Sequence, residues 1–204
     1  MNRLVCSVVA AFAVWFAFGE AQNPAIVRVG GKGRVAFVNA CDAPTGELEA
    51  MLPQVAKILQ IDLGVQRGNW SLPTAQKDFE DAKASIAIFI ARDKSLPMSL
   101  IAMESKWGFV NAEGLDAKCV KKEAMRVALV LLGSAASRFP ASMMRPVFSR
   151  EDLATKAGEL LTFDSVLPLE NYMPALGIEP YRLLAREDAI AEGLLKDDKA
   201  EPKK

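Results

Sequence analysis

The chain contains no histidine, and that limits its chemistry first. Without imidazole there is no His-held zinc site and no Ser-His or Cys-His nucleophile pair. The thiols are Cys6, Cys41 and Cys119. If an N-terminal leader is removed, Cys41 and Cys119 remain, too few for a four-thiolate zinc site. In an oxidising compartment these two could form a disulfide, or they could stay buried free thiols. Carboxylates are the next candidates for acid–base work. Glu47 and Glu49 face opposite ways on a helix, and Glu151 and Asp152 adjoin at a helix start, so both pairs read as solvated. Asp78, Glu80 and Asp81, with Lys77 and Lys83, read as an exposed helix face. Trp70, Trp107, Phe109 and Tyr172 could line a cleft. Trp107 and Phe109 share one face of a strand by its period of two, and core packing is their plainer reading.

The stretch that must position any site runs from Val120 to Ser165. From Met125 to Leu132 the side chains are apolar on nearly every side, which marks a buried helix. Gly133 stands where a left-handed C-terminal cap is expected. A loop with paired methionines, Met143 and Met144, follows. This arrangement resembles metzincin-type zinc peptidases, and its spacing resembles the archaemetzincin family in particular. That family carries His-Glu-x-x-His-x-x-Gly-x-x-His-Cys, then a second Cys, a Met and a Cys-x-x-Cys pair. Aligned on Gly133, the first His falls on Arg126, the catalytic Glu on Val127 and the second His on Val130. The third His falls on Ala136 and its neighbouring Cys on Ser137. The second Cys falls on Ser142, the Met on Met144, and the Cys-x-x-Cys pair on Thr162 and Ser165. Gly133 and Met144 keep the family separation. Lys122-Glu123-Ala124, Phe148-Ser149, Asp152 and Lys156 also look like the family, and the resemblance covers residues 34–165.

The resemblance implies a degenerate member: every metal ligand and the general base are replaced. Zn²⁺ set against Val, Ala and Ser would keep its charge unneutralised. No catalytic residue, metal or cofactor is therefore expected. Met144 would keep its packing role with no metal above it. Arg126 is the charged residue in the former site. A buried guanidinium needs a partner, and Glu123, three residues earlier, shares its helix face. Arg126 then either binds an anionic group in the cleft or forms a structural salt bridge. The functional expectation is a catalytically inactive domain with a binding or structural role. Its partner would be an unidentified peptide or protein, captured for example by strand addition at a sheet edge. The alternatives are an active peptidase-like hydrolase with an unrecognised site, or an unrelated exported α/β protein.

The surrounding elements alternate. Arg34 to Ala40 reads as a strand, and Leu48, Met51, Leu52, Val55, Ile58 and Leu59 recur at helical spacing across Pro53. Ile61 to Val65 is a short strand, and Thr74 caps a helix reaching Lys83. Ser85 to Ala91 reads as a central strand buried on both faces. Leu100 to Met103 and Trp107 to Val110 are further strands, with Gly108 suiting a bulge or an edge. Ser149 and Asp152 start a helix to about Leu161, and Pro180 opens a last helix over Tyr181 to Leu195. The expected fold class is α/β: a metzincin-like mixed twisted sheet of about five strands packed by helices, with a buried central helix and a helical C-terminal part.

With 204 residues and a formal net charge of zero, the chain can hold one core but has no basic face for nucleic acid. Residues 1–21 resemble a secretory signal: Arg3, an apolar run from Leu4 to Phe18, then Gly19-Glu20-Ala21. The run is shorter than the ~20 residues a membrane-spanning helix needs. Export to a periplasmic or secreted location is expected, with no membrane association after cleavage. Anchoring by residues 4–18 is the alternative. Residues 22–33, with Gly30-Gly31-Lys32-Gly33, read as a linker. Residues 34–195 read as a single domain and 196–204 as a disordered charged tail.

Overall fold

The computed structural model describes residues 26–195; the expected leader and charged tail lie outside them. The described residues divide into two units, one of residues 30–182 and one of residues 26–29 with 183–195.

The larger unit is built on a five-stranded sheet. Its strands are β2 (Arg34–Asn39), β3 (Asp62–Arg67), β4 (Ile86–Ala91), β5 (Ser99–Ala102) and β6 (Trp107–Asn111). Their spatial order is β3-β2-β4-β6-β5. β2 runs parallel to both β3 and β4, and β4 runs parallel to β6. β5 is antiparallel to β6, pairing Leu100 with Phe109 and Ile101 with Gly108. Every residue of β4 is buried, as a central strand covered on both faces must be.

The period of two sorts the side chains onto two faces. Val35 and Phe37 of β2 and Ile86, Ile88 and Ile90 of β4 share the main core with α1 (Gly46–Leu59) and α3 (Ala117–Leu131). Ala36, Val38, Ala87 and Phe89 turn to the other face, where Phe79 of α2 (Ala75–Asp81) and Trp70 pack. Pro53 lies inside α1, and a 3-10 turn, Leu72–Thr74, leads into α2.

α3 is the long inner helix. Asp116 caps its start by accepting the Cys119 N–H at 2.8 Å. Gly133, at φ +97°, ends it: the Gly133 N–H donates to Val130 O and the Ser134 N–H to Leu129 O. This crossed pair is the Schellman arrangement, which satisfies carbonyls the helix would otherwise leave bare. The helix is not apolar throughout its buried length. Lys121 and Lys122 are also buried. Lys121 Nζ lies 2.9 Å from Glu47 and 3.1 Å from Glu159, the pairing a buried ammonium requires. Gly108 in β6 marks neither bulge nor edge, since β6 lies between two strands. A methyl group there would collide with Val127 Cγ1; the glycine lets α3 approach the sheet.

Beyond α3 the helices are short: α4 (Arg150–Thr155), α5 (Phe163–Val166) and α6 (Leu169–Tyr172), with a 3-10 turn at Pro174–Leu176. The helix expected to reach about Leu161 thus stops at Thr155. Ser149 starts it as expected, accepting the Asp152 N–H at 3.0 Å.

Two expectations fail at the ends of the described chain. Ile26–Lys32, expected as linker, is β1, and Glu179–Ala185, expected as helix, is β7. These two strands form a separate two-stranded sheet. Only Arg186–Ala191 is helical after it, as α7. Pairing between segments far apart in sequence overrode local helix signals, and a local pattern does not record such a partner.

Candidate functional site

From Cys119 to Ser134 every residue is buried except Arg126, Val130 and Gly133, which are half-buried. They are spaced i, i+4 and i+7, so they form one stripe along α3. Ala136 is exposed just beyond. Arg126, Val130 and Ala136, which the resemblance aligns with the family's histidines, are thus among the places where this helix and its following loop open outward. Val127 lies fully buried.

Arg126 is held on the stripe by Glu123. Its Nε donates to Glu123 Oε2 at 2.8 Å and its Nη2 to Oε1 at 2.5 Å. The Glu123 side chain is wholly buried and that of Arg126 is 18% exposed. The pair is therefore a two-point bond between a buried carboxylate and a guanidinium at the opening, the strongest form of such contacts. Arg126 Nη2 also reaches Ser99 Oγ of the edge strand β5 at 3.4 Å. At the other end of the stripe the ring of Tyr172 covers Gly133. A Cβ on Gly133 would lie 2.5 Å from that ring, so Gly is required there for contact as well as for its positive φ.

The loop after α3 carries a web of hydroxyls. Thr162 Oγ1 donates to Ser142 Oγ at 2.9 Å, and Ser165 Oγ lies 2.9 Å from Thr162 Oγ1 and 3.3 Å from Ser142 Oγ. Ser142 Oγ also accepts the Met144 N–H at 3.1 Å. Ser142 and Ser165 are fully buried. Ser137 joins through Asp164: the Ser137 hydroxyl, and after it that of Thr162, hold the Asp164 carboxyl pKa below the ordinary value. Oδ1 of that carboxylate is buried without a hydrogen-bond partner. Met143 and Met144 are buried in the main core, and the Ser137 N–H donates to Met144 O at 2.9 Å. The structure therefore brings Ser142, Thr162 and Ser165 into mutual contact, with Ser137 and Met144 tied to them.

The donor set does not suit zinc. Arg126 carries a positive charge, Val130 and Ala136 have no lone pair to offer, and the hydroxyls bond to each other. Zinc sites in proteins use thiolate, imidazole and carboxylate ligands. Among the described residues, no three His, Cys, Asp or Glu side chains gather as a metal-ligand group.

The remaining candidates lie elsewhere. Cys41 and Cys119 are both free, so the expected alternative of a disulfide is not realised. Cys41 Sγ donates to Ile90 O at 3.7 Å, while Cys119 packs with Val147, Leu153 and Ala157. Burial pushes both thiol pKa values up, which makes the reactive thiolate scarcer. Glu47 serves Lys121, and Glu49 accepts from Thr45 Oγ1 at 2.7 Å. Asp152 pairs with Lys156 at 2.6 Å. Trp70 stacks on Phe109, their centroids 4.2 Å apart, and Trp107 meets Phe89 edge-on at 6.5 Å. These aromatics pack against the sheet, while Tyr172 lies apart from them against Gly133.

Sequence reasoning missed a surface cavity of about 530 Å³ lined by Asn39, Asp42, Thr45, Glu49, Gln66 and Arg67, among others. It lies at the carboxyl ends of β2 and β3, where open α/β sheets commonly hold ligands. The parallel order of these strands was the signal that could have located it.

No protein-family model matches the chain, and no curated protein matches it. Solved structures do. Archaemetzincin from Methanopyrus kandleri superposes with a TM-score of 0.50 at 10% identity, covering 68% of this chain and 94% of that one. A zinc-dependent peptidase from Methanocorpusculum labreanum superposes with a TM-score of 0.47 at 9% identity, covering 66% of this chain and 99% of that one. The mixed five-stranded sheet packed by helices is thus an archaemetzincin-like fold.

Proposed function

We propose that this protein is an exported, catalytically inactive archaemetzincin-like domain that binds an extended peptide or a protein segment. The observation that carries the reading is the residue content of the open stripe on α3. Where a zinc peptidase of this fold would present ligands, this chain presents Arg126, Val130 and Ala136. The position of the general base is Val127, buried beneath the stripe. A hydrolytic zinc site needs ligands, an open coordination position and a base. Binding needs less: the outer edge of β5 offers backbone groups for strand addition, and Val130 and Tyr172 offer apolar contact along the stripe.

The test has two arms. Elemental analysis of the purified protein is expected to find no stoichiometric zinc, with no peptide hydrolysis and no shift of the thermal midpoint by added Zn²⁺ or chelator. Bound zinc, or zinc-dependent cleavage, overturns the inactive reading. For binding, an extended-peptide library is screened against the protein and against Val130→Arg. The variant should fold normally and lose captured peptides at least about tenfold, the effect of one lost anchor contact. Equal capture by both proteins would remove the stripe from the binding site.

A further inference from the structure

We propose a second surface, unrelated to the stripe: the loops bearing Phe139 and Phe148 dock the protein on an anionic lipid bilayer. Phe148 is 88% exposed, Phe163 74% and Phe139 57%. Leu160 and Leu167 are exposed by half or more. Clustered apolar exposure of this kind marks a surface that meets something other than water.

These side chains share one framework. The Ser142 N–H donates to Phe139 O, the Leu160 N–H to Ala141 O, and Thr162 Oγ1 to Ser142 Oγ. Phe139, Leu160 and Phe163 thus sit on segments pinned around Ser142, and Leu167 follows one helical turn after Phe163. Phe148 occupies the next bend, where its N–H is held by the Asp152 carboxylate at 3.2 Å. Pro140 and Pro146 restrict the backbone beside Phe139 and Phe148, whose rings are exposed.

The charge pattern selects the occupant. Residues 134–150 carry Arg138, Arg145 and Arg150 and no acid. Of the acids that follow, Asp152 pairs with Lys156, Glu159 with Lys121 and Lys122, and Asp164 with hydroxyls. Glu151 stays exposed next to Arg150, and Glu170 lies beyond. Aromatic rings flanked by arginine suit the headgroup region of an anionic leaflet: the rings enter the boundary, and the guanidinium groups meet phosphate. The rings project, and they line neither the cavity beside β3 nor the one at Gly33 and Phe79. Projecting rings need no matching pocket in a fluid bilayer, whereas a protein partner would have to supply one. Among the described residues no helix is long and apolar enough to cross a membrane, so this contact is peripheral. It departs from the expectation of no membrane association, which rested on the lengths of apolar runs and was blind to exposure.

Hydrogen exchange of the full chain on phosphatidylcholine vesicles, with and without phosphatidylglycerol, tests the proposal. Residues 137–150 should gain protection on the anionic vesicles alone. Arg138→Ala and Arg150→Ala should each weaken vesicle binding about fivefold, following ~1 kcal/mol for each basic residue near an anionic surface. Phe139→Ser with Phe148→Ser should weaken it about tenfold or more, with an unchanged thermal midpoint because these side chains are exposed. Vesicle attachment with no protection at 137–150, as attachment through Leu4 to Phe18 would give, overturns the proposal. So do equal binding to neutral vesicles, absence of binding, and protection that appears without vesicles as protein concentration rises. That last result would assign the surface to a second copy of the chain.

Discussion

Arg126 and Glu123 show how a buried charge is made safe. Glu123 is wholly buried, and its carboxylate is matched by two guanidinium nitrogens. Removing one partner of a buried pair leaves a bare charge, which costs more than removing both. Arg126→Met should therefore destabilise the protein by about 3–5 kcal/mol. Adding Glu123→Leu to it should recover most of that loss, measured by denaturant unfolding in a double-mutant cycle. Equal losses in the single and double variants would mean that the pair adds nothing beyond packing. This pair was legible in the sequence because three residues of helix fix the geometry between charges. The hydroxyl web was only half legible. Family spacing singles out Ser137, Ser142, Thr162 and Ser165, but nothing in their types says that they bond to one another, and Asp164 gave no signal. The exposure of Phe148 was invisible for the converse reason: a phenylalanine in a sequence reads as core until its surroundings are known.

Elements were read best where local pattern and tertiary role agree. β4 is an apolar run that is buried throughout, and α3 has its cap residues at both ends. The Asp116 cap also gives a pH dependence. Its bond to the Cys119 N–H, the larger cause, lowers the Asp116 pKa. A carboxylate with a depressed folded pKa contributes stability above its ordinary pKa, and that contribution is lost as pH falls through the folded value. Asp164 shifts the same way, chiefly through Ser137. The thermal midpoint should fall on acidification from neutral pH to about pH 3, and Asp116→Asn, which still caps but does not titrate, should fall less. A variant as acid-sensitive as the parent would exclude Asp116 as a source. Helix-to-sheet contact carries its own prediction. Gly108→Ala should cost about 1–3 kcal/mol through overpacking against Val127, and Val127→Ala in the same chain should restore part of it. The helix expected at Tyr181 to Leu195 was misread in its first part for the reason β-pairing is hard to read anywhere: β7 exists because of β1, far away in sequence.

For the larger unit as a whole, the α/β layering was legible in the alternation of strands and helices, since parallel neighbours require crossover helices, but the strand order and the placement of α1 and α3 on one face were not. What the sequence could not supply was the opening of the molecule: which stripe of a buried helix meets the outside, and which loops turn apolar rings away from the core. Both depend on what is missing around a residue, and a string of residue types does not encode missing neighbours.

The hydroxyl web has a further consequence. Thiolate joints are vulnerable: oxidants convert them up the sulfur ladder, and competing chelators can strip their ion. Serine and threonine take part in neither reaction. The tie among residues 137, 142, 162 and 165 therefore needs no metal ion to assemble, and its hydroxyls offer peroxide no thiol to attack.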